Sequence, residues 1–193
     1  MCSRRFKRPC SSITPAPFAA IAKPGAAAAI VHTDITRAAP NALILPILLR
    51  ELEQSGVQRG DITLINALGT HRRQTDAELR AMLGDFVVDN YRCTQHDAWD
   101  DGNLAAFRVT SRGNPVRINR AFTEADIRIL TGFIEPHFFA GFSGGPKGVL
   151  PPIAGFESVL SNHNQEMIGH LNATWGVTAG NPIWEEMREA ADR

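Results

Sequence analysis

Apolar residues in this chain occur either in short continuous runs or at a spacing of three to four positions. The runs at 26–31, 61–68 and 127–130 are mostly aliphatic and predict buried strands, with 127–130 expected as a central strand. A weaker run at 91–95 predicts a further strand. Residues 105–119, which carry Ser-Arg-Gly-Asn in the middle, predict a β-hairpin.

Helical spacing and helix-end signals are found between and after these strands. Apolar residues between positions 43 and 52 lie on one helix face, and Gly56 follows as a stop. Thr75 and Glu78 form a capping box, and Pro182 suits the first turn of the last helix. The predicted helices cover residues 41–55, 75–83, 156–162 and 181–193.

Strands that alternate with helices are typical of a largely parallel sheet. The predicted fold class is therefore α/β, a Rossmann-like or flavodoxin-like sandwich with a mainly parallel sheet and helices on both faces. Polar clusters follow three of the strands, at 32–37, 69–74 and 135–148. Ligands of open parallel sheets bind beyond the carboxyl ends of the strands, so we expect these clusters to form one site.

Composition narrows the function classes. The 193 residues suit one domain, and the 20 basic and 20 acidic side chains balance, so no net charge favours nucleic acid or a membrane surface. No apolar run approaches the ~18 residues of a membrane span. Three scattered cysteines without metal-ligand spacing favour a reducing, cytoplasmic location. The composition is compatible with a protein that acts on small molecules.

The third polar cluster lies in a glycine- and proline-rich stretch at residues 135–152. Its glycines permit tight turns and close approach of a ligand to the main chain. His137 can transfer a proton near neutral pH, and Lys147 can bind an anion or act as a nucleophile. A glycine- and proline-rich loop in which the His and Lys have no chemical role would have the same composition. The stretch does not match the common phosphate-binding motif G-x-x-x-x-G-K-[ST], because Pro146 precedes Lys147 and Gly148 follows it.

Four motifs in chain order resemble those of the nickel-dependent lactate racemase family, in its N-terminal domain. They are DITR at 34–37, GTHR at 69–72, HFFAGFSGG at 137–145 with Lys147 after it, and SNH at 161–163. On this resemblance, residues 1–20 are a loose N-terminal extension and residues 21–180 are the catalytic N-terminal domain. Residues 181–193 would start a helix that leads toward a missing C-terminal domain.

The resemblance implies a racemase or epimerase of 2-hydroxy acids such as lactate. It implies hydride transfer to a nickel-pincer nucleotide, a pyridinium mononucleotide whose two sulfur-containing arms hold nickel. Sulfur donors together with imidazole suit Ni(II). His163 would be the metal ligand, and Lys147 would be the amine that some members join to one arm. His71 and His137 would be an acid/base pair serving the two faces of a planar keto acid.

The resemblance also implies contacts with nucleotide and substrate. Asp34, Thr36, Gly144 and Gly145 are expected at the cofactor, while Arg37 is expected at the cofactor and at the substrate carboxylate. An ion pair between Arg37 and nearby Asp34 is the simpler reading of those two residues. The expected partners are a small 2-hydroxy acid and either a separate C-terminal domain or further copies of the chain in a homo-oligomer.

Two other functions are compatible with the same residues. One is a catalytically silent module that binds the nucleotide or a partner because its covering domain is absent. The other is a zinc hydrolase that uses His71, His137 and His163, although no carboxylate base stands in a motif such as H-E-x-x-H. The remaining histidines are expected only in surface or capping positions. They are His32, His96 and His170.

Overall fold

The computed structural model describes residues 22–192, so the extension predicted at 1–20 lies outside the described residues. The strands are β1 (Ala28–Thr33), β2 (Ile62–Ala67), β3 (Arg92–Gln95), β4 (Leu104–Val109), β5 (Pro115–Asn119), β6 (Ile127–Leu130), β7 (Pro136–His137) and β8 (Gly141–Phe142). The helices are α1 (Asn41–Gln54), α2 (Asp76–Leu83), α3 (Asp85–Asn90), α4 (Arg120–Glu124), α5 (Phe156–Asn162), α6 (Gln165–Ile168) and α7 (Pro182–Ala191). No helix within residues 22–192 is both long and apolar enough to cross a membrane.

A four-stranded parallel sheet forms the centre of the fold. Its strand order is β3-β2-β1-β6, and each neighbouring pair is parallel. The expectation that residues 127–130 form a central strand is therefore wrong, because β6 lies at the edge. Only Ile127 of this strand is buried, whereas five of the six residues of β1 are buried. The run is short and includes Arg128, so it can cover only one side of β1.

Local sequence signals explain most of the helix boundaries. Thr75 caps α2, since its hydroxyl accepts the N–H of Glu78 and the Glu78 side chain accepts the N–H of Thr75. Helix α1 continues through Pro46, which occupies its interior. The predicted helices and the predicted β4–β5 hairpin are confirmed. Helices α3, α4 and α6 were not predicted, because each has six residues or fewer and so shows little helical periodicity.

Apolar side chains that alternate along β1 and β2 divide the interior into two cores, with helices on both faces of the sheet as predicted. One face carries Ala28, Ile30, Ile62 and Leu64 and packs against α1, α2 and α3. The other face packs against the hairpin, the later helices and the loop at 149–154. This second core includes Ile65, Ile118, Leu150, Ile153, Ile183 and Met187.

Helix α7 belongs to the second core. Ile183 and Met187 on its inner face have no solvent exposure. The buried carboxylate of Glu186 accepts hydrogen bonds from Thr110 Oγ1 at 2.8 Å and from Asn162 Nδ2 at 2.7 Å. Helix α7 therefore packs on the same core as α5 and the hairpin, and its expected course toward a C-terminal domain stays a prediction.

The glycine-rich stretch packs closely against the segment before α7. Gly141 has a φ of +73°, and a Cβ added there would lie 2.3 Å from the carbonyl oxygen of Val177. The carbonyl oxygen of Gly141 accepts the N–H of Gly176 at 3.0 Å. Only glycine fits this position, because both its backbone angle and its contact distance exclude a side chain.

We expect Gly141→Ala to lower the free energy of unfolding by about 1–3 kcal/mol, since an L-residue with positive φ is strained and the new methyl group meets a backbone oxygen. Gly60→Ala is the control, because an added Cβ at Gly60 has no atom within 4 Å. That control should stay within about 0.5 kcal/mol of the parent. Urea unfolding measures both. Equal midpoints for the two variants would contradict the close packing at Gly141.

Candidate active site

The loops after β1, β2 and β6 meet at the carboxyl edge of the sheet and surround a cavity of about 450 Å³. All three polar clusters that the sequence singled out contribute to it. The lining residues with functional side chains or close-approach backbone are Asp34, Thr36, Arg37, His71, His137, Gly144, Lys147 and His163. Gly145 does not line this cavity and instead borders an apolar groove with Ile134 and Trp184. The chemical roles expected for these residues stay predictions.

His71 is held by a buried carboxylate. Its Nδ1 lies 2.6 Å from Oδ2 of Asp34, whose side chain is 4% exposed, while the His71 side chain is 54% exposed. The other oxygen of Asp34 accepts the hydroxyl of Thr36 at 2.6 Å and its backbone N–H at 3.2 Å. Hydrogen bonds within its own loop thus orient the Asp34 carboxylate. Thr36 contributes to the site by donating two of them. Nε2 lies on the other edge of the His71 ring, away from Asp34.

Arg37 forms an ion pair with Glu135 and not with Asp34, which is nearer in the sequence. Its Nε lies 3.5 Å from Oε1 of Glu135, and its Nη1 donates to the carbonyl of Thr36 at 3.3 Å. The simple reading of Arg37 as the ion-pair partner of Asp34 is therefore wrong, because Asp34 is occupied by His71. The Arg37–Glu135 pair is partly exposed and contributes little to stability. A carboxylate or phosphate entering the cavity can compete with Glu135 for this guanidinium.

Lys147 lies in a short 3-10 turn, Gly145–Gly148, that follows Gly144. Burial and then the positive charge of Arg37 lower the pKa of the Lys147 amine from its ordinary 10.5 to about 8, while Asp34 opposes the shift. No hydrogen bond or ion pair of the amine is found within residues 22–192. A buried amine with a lowered pKa is the form in which lysine reacts as a nucleophile.

His137 and His163 are both kept neutral at pH 7. Burial, followed by the positive charge of Lys147, lowers the pKa of each imidazole to about 4, and Arg37 adds to the effect at His137. Nδ1 of His137 accepts the backbone N–H of Ala140 at 3.3 Å. Nδ1 of His163 is buried and has no hydrogen-bond partner in the described part of the chain. A neutral imidazole without a partner is suited to bind a metal ion.

Aromatic rings hold the two imidazoles in place. Phe138 stacks on the His137 ring at 4.7 Å between centroids, and Phe139 meets the same ring edge-on at 4.6 Å. Phe139 also meets the ring of His163 edge-on at 5.1 Å. His163 directly follows α5 as its C-cap residue. Phe139 of the HFFAGFSGG motif thus contacts both histidines, which lie far apart in the sequence.

Several side chains near the site were missed or misjudged from the sequence. Glu135 and the backbone N–H of Ala140 have no signal of their own in the sequence. His32 and His96 are not in surface positions, since they are 0% and 2% exposed. His32 lies on a buried face of β1, and Nε2 of His96 donates to the carbonyl of Ala154 at 3.0 Å. Both are structural residues inside the fold.

The histidines do not form a zinc-type cluster. Within residues 22–192, no three His, Cys, Asp or Glu side chains are close enough to hold one metal ion. A catalytic zinc site needs three protein ligands around one ion. The arrangement therefore does not support the hydrolase that would use His71, His137 and His163 together.

We expect Lys147→Met to raise the free energy of unfolding at pH 7 by about 1–3 kcal/mol, because the native state charges a buried amine and one pKa unit corresponds to about 1.4 kcal/mol. The amine pKa is lowered on folding to about 8, so the parent gains stability as pH rises from about 8 toward 10.5. The difference between parent and variant should therefore shrink across that window. Lys23→Met, at an exposed lysine, is the control. Urea unfolding at pH 7 and pH 10 measures the effect, and a pH-independent difference would contradict it.

Comparison with known proteins gives the family. The sequence profile of the lactate racemase N-terminal domain matches residues 6–176. The lactate racemase of Thermoanaerobacterium thermosaccharolyticum is 38% identical over 164 residues, which are 85% of this chain and 38% of that protein. The lactate racemase of Lactiplantibacillus plantarum is 40% identical over 162 residues, which are 84% of this chain and 38% of that protein.

Solved structures give the same result. The structure of the lactate racemase apoprotein from T. thermosaccharolyticum matches with a TM-score of 0.80 at 36% identity, covering 87% of this chain and 41% of that one. The crystal structure of a protein from Thermotoga maritima matches with a TM-score of 0.74 at 27% identity, covering 88% and 43%. The chain spans about two fifths of the length of these relatives. It belongs to the lactate racemase N-terminal domain family.

Proposed function

We propose that this chain is the cofactor-binding part of a 2-hydroxy acid racemase that acts on lactate or a close analogue. The single observation that supports this most is the cavity itself, which gathers the four groups that such a reaction needs from distant parts of the chain. They are His71, His137, Lys147 and His163. The lactate racemases that the chain resembles support the reaction class.

The residues present fit a nickel-pincer nucleotide. Among residues 22–192, Nδ1 of His163 has no hydrogen-bond partner although it is buried, and the Lys147 amine is buried with a lowered pKa. In this proposal His163 ligates the metal and Lys147 binds one arm of the nucleotide, covalently or as an ammonium. Sulfur and imidazole donors are the set that nickel favours. When bound, the nucleotide supplies an acceptor for the hydride that leaves C2 of the substrate.

Charge and backbone around the cavity favour a substrate and a cofactor with anionic groups. Arg37 is placed to bind the substrate carboxylate with its planar guanidinium once Glu135 is displaced. Asp34 and Thr36 hold the neighbouring loop in shape. Gly144 has a φ of +75° and lines the cavity, so its backbone is the candidate contact for a phosphate.

The histidines handle the hydroxyl proton. His71 is half-exposed at the mouth, and its Nε2 faces away from Asp34, so it can reach a substrate hydroxyl. His137 is buried in the wall of the same cavity. The aromatic rings of Phe138 and Phe139 contact its imidazole and hold it in place. Loss of hydride and proton from C2 and its oxygen leaves a planar keto acid, to which hydride can return on either face.

The proposal is tested by making the protein together with the enzymes that synthesise the nucleotide, then measuring nickel content and the interconversion of D- and L-lactate. We expect about one nickel per chain and racemisation that His71→Ala reduces by about 100-fold or more, because general base catalysis contributes that much. Nickel binding without racemisation would instead support the catalytically silent module. Zinc in place of nickel would refute the cofactor assignment.

Lys147→Ala should abolish any covalent mass increase that the cofactor causes, since no other amine of residues 22–192 lines the cavity. Intact-protein mass spectrometry of the co-produced variant measures this. Lys23→Ala, at an exposed lysine far from the cavity lining, should retain the adduct. An adduct that persists in Lys147→Ala would refute the assignment of the amine.

A further inference from the structure

The loop that carries His71 is bonded to the sheet at its far end, through Gln74. This residue directly precedes the cap of α2 and is 5% exposed. Its backbone N–H donates to Oε1 of Gln95 at 2.7 Å, and its backbone carbonyl accepts Nε2 of Gln95 at 2.9 Å. Its side-chain Oε1 accepts Nδ2 of Asn66 at 2.5 Å. These three contacts form the glutamine clamp.

The two side chains that form the clamp occupy one level of the sheet. Asn66 lies in β2 and Gln95 ends the edge strand β3, and the two residues are partners in the parallel register. Register partners point to the same face of a sheet. Leu64 and Cys93, two residues earlier on the same strands, belong to the core that packs against α1, α2 and α3. The polar pair therefore extends this apolar row to the carboxyl edge, where the loop at 69–74 begins.

The Gln95 side chain bonds to the loop as a neighbouring strand would. A strand pairs with its neighbour by exchanging backbone N–H and C=O groups. A glutamine amide carries the same two groups at the end of a side chain, so Gln95 satisfies both backbone polar groups of Gln74 at once. Asn66 adds the bond to the Gln74 side chain. A residue held at three points in this way fixes the direction in which the loop backbone runs.

Other contacts of the loop differ from the clamp in burial or in place. At the start of the loop, the N–H of Gly69, which is buried, donates to the carbonyl of Pro152 at 2.8 Å. Arg72 forms an ion pair with Glu78 at 2.6 Å, but the Arg72 side chain is 67% exposed, and exposed ion pairs contribute little. His71 thus lies between two buried anchors, the first at Gly69 and the second at the clamp.

We propose that Gln95 and Asn66 are positioning residues that fix the loop of His71. They act through Gln74, since neither side chain lines the cavity. The His71 side chain is 54% exposed, so its place depends on the backbone that carries it and on its contact with Asp34. The inference rests on the proposed racemase function and deepens it, because a reacting group that moves by about 1 Å can lose about 100-fold in rate.

Gln95→Met removes the amide and keeps an unbranched side chain of similar length. Gln54→Met, at an exposed position of α1, is the matched control. The measurement is the NMR order parameter of the backbone N–H groups of residues 70–73, without cofactor or substrate. We expect the rigid value of about 0.85 in the parent and the control, and a fall below about 0.6 in Gln95→Met. A flexible loop in the parent, or an unchanged loop in Gln95→Met, would overturn the proposal.

Kinetics of the protein made with the nucleotide-synthesis enzymes separate positioning from stability. We expect Gln95→Met to keep its nickel content and its KM while kcat falls about tenfold or more. An unchanged kcat together with a lower free energy of unfolding would show a purely structural role and overturn the positioning role.

Gln95→Glu is the conservative variant, because it keeps an acceptor for the N–H of Gln74 but sets a carboxylate against its carbonyl. Its order parameters and its kcat should both lie between those of the parent and Gln95→Met, and a kcat as low as that of Gln95→Met with a rigid loop would contradict the link between the two. If the parent binds nickel but racemises nothing, the proposed function fails, whereas the order parameters still decide whether Gln95 fixes the loop.

Discussion

Burial of strand β1 on both faces is the constraint on which the site depends. Residues Ala28 to Val31 are at most 2% exposed, and the strand pairs in parallel with β2 on one side and β6 on the other. Parallel pairing in register brings the carboxyl ends of the three strands to one edge. The loop with Asp34, the loop with His71 and the glycine-rich stretch therefore leave the sheet side by side. Polar contacts such as that of Thr36 with Asp34 then hold the loops in shape.

The cavity concentrates basic groups that the fold leaves without acidic partners. Lys147 has a lowered pKa and no ion pair within residues 22–192. Burial, to which the charge of Lys147 adds, lowers the pKa of the two imidazoles and keeps them neutral. Burial of such groups costs stability, and strongly shifted pKa values of this kind are concentrated at functional sites. A ligand with anionic arms and a metal that accepts imidazole would satisfy them together. The electrostatics of the cavity thus support the class of ligand that is proposed for it.

The sequence was sufficient to predict where the site would form but not how its groups pair. Strand ends and polar clusters predicted the meeting of three loops, because the topology of parallel sheets dictates it. Periodicity carries no information on strand order, so the edge position of β6 was missed. The ion pair of Arg37 was not predicted, because its partner Glu135 is distant in the chain. The partner of His137 was not predicted either, because it is a backbone N–H, which every residue type except proline provides. The different hydrogen-bond partners of His71 and His137 are therefore visible only in three dimensions.

Helix α7 shows how a residue outside the cavity controls geometry inside it. Both oxygens of the buried Glu186 carboxyl group accept hydrogen bonds, one from Thr110 and one from Asn162, and Asn162 also donates to the carbonyl of Ile183. Loss of one partner would leave a buried polar group unpaired, which costs about 1–3 kcal/mol. Asn162 is the last residue of α5, so the helix end that presents His163 is fixed by α7. The unit that the proposed metal ligand depends on therefore extends beyond residue 176, where the match to the family profile ends.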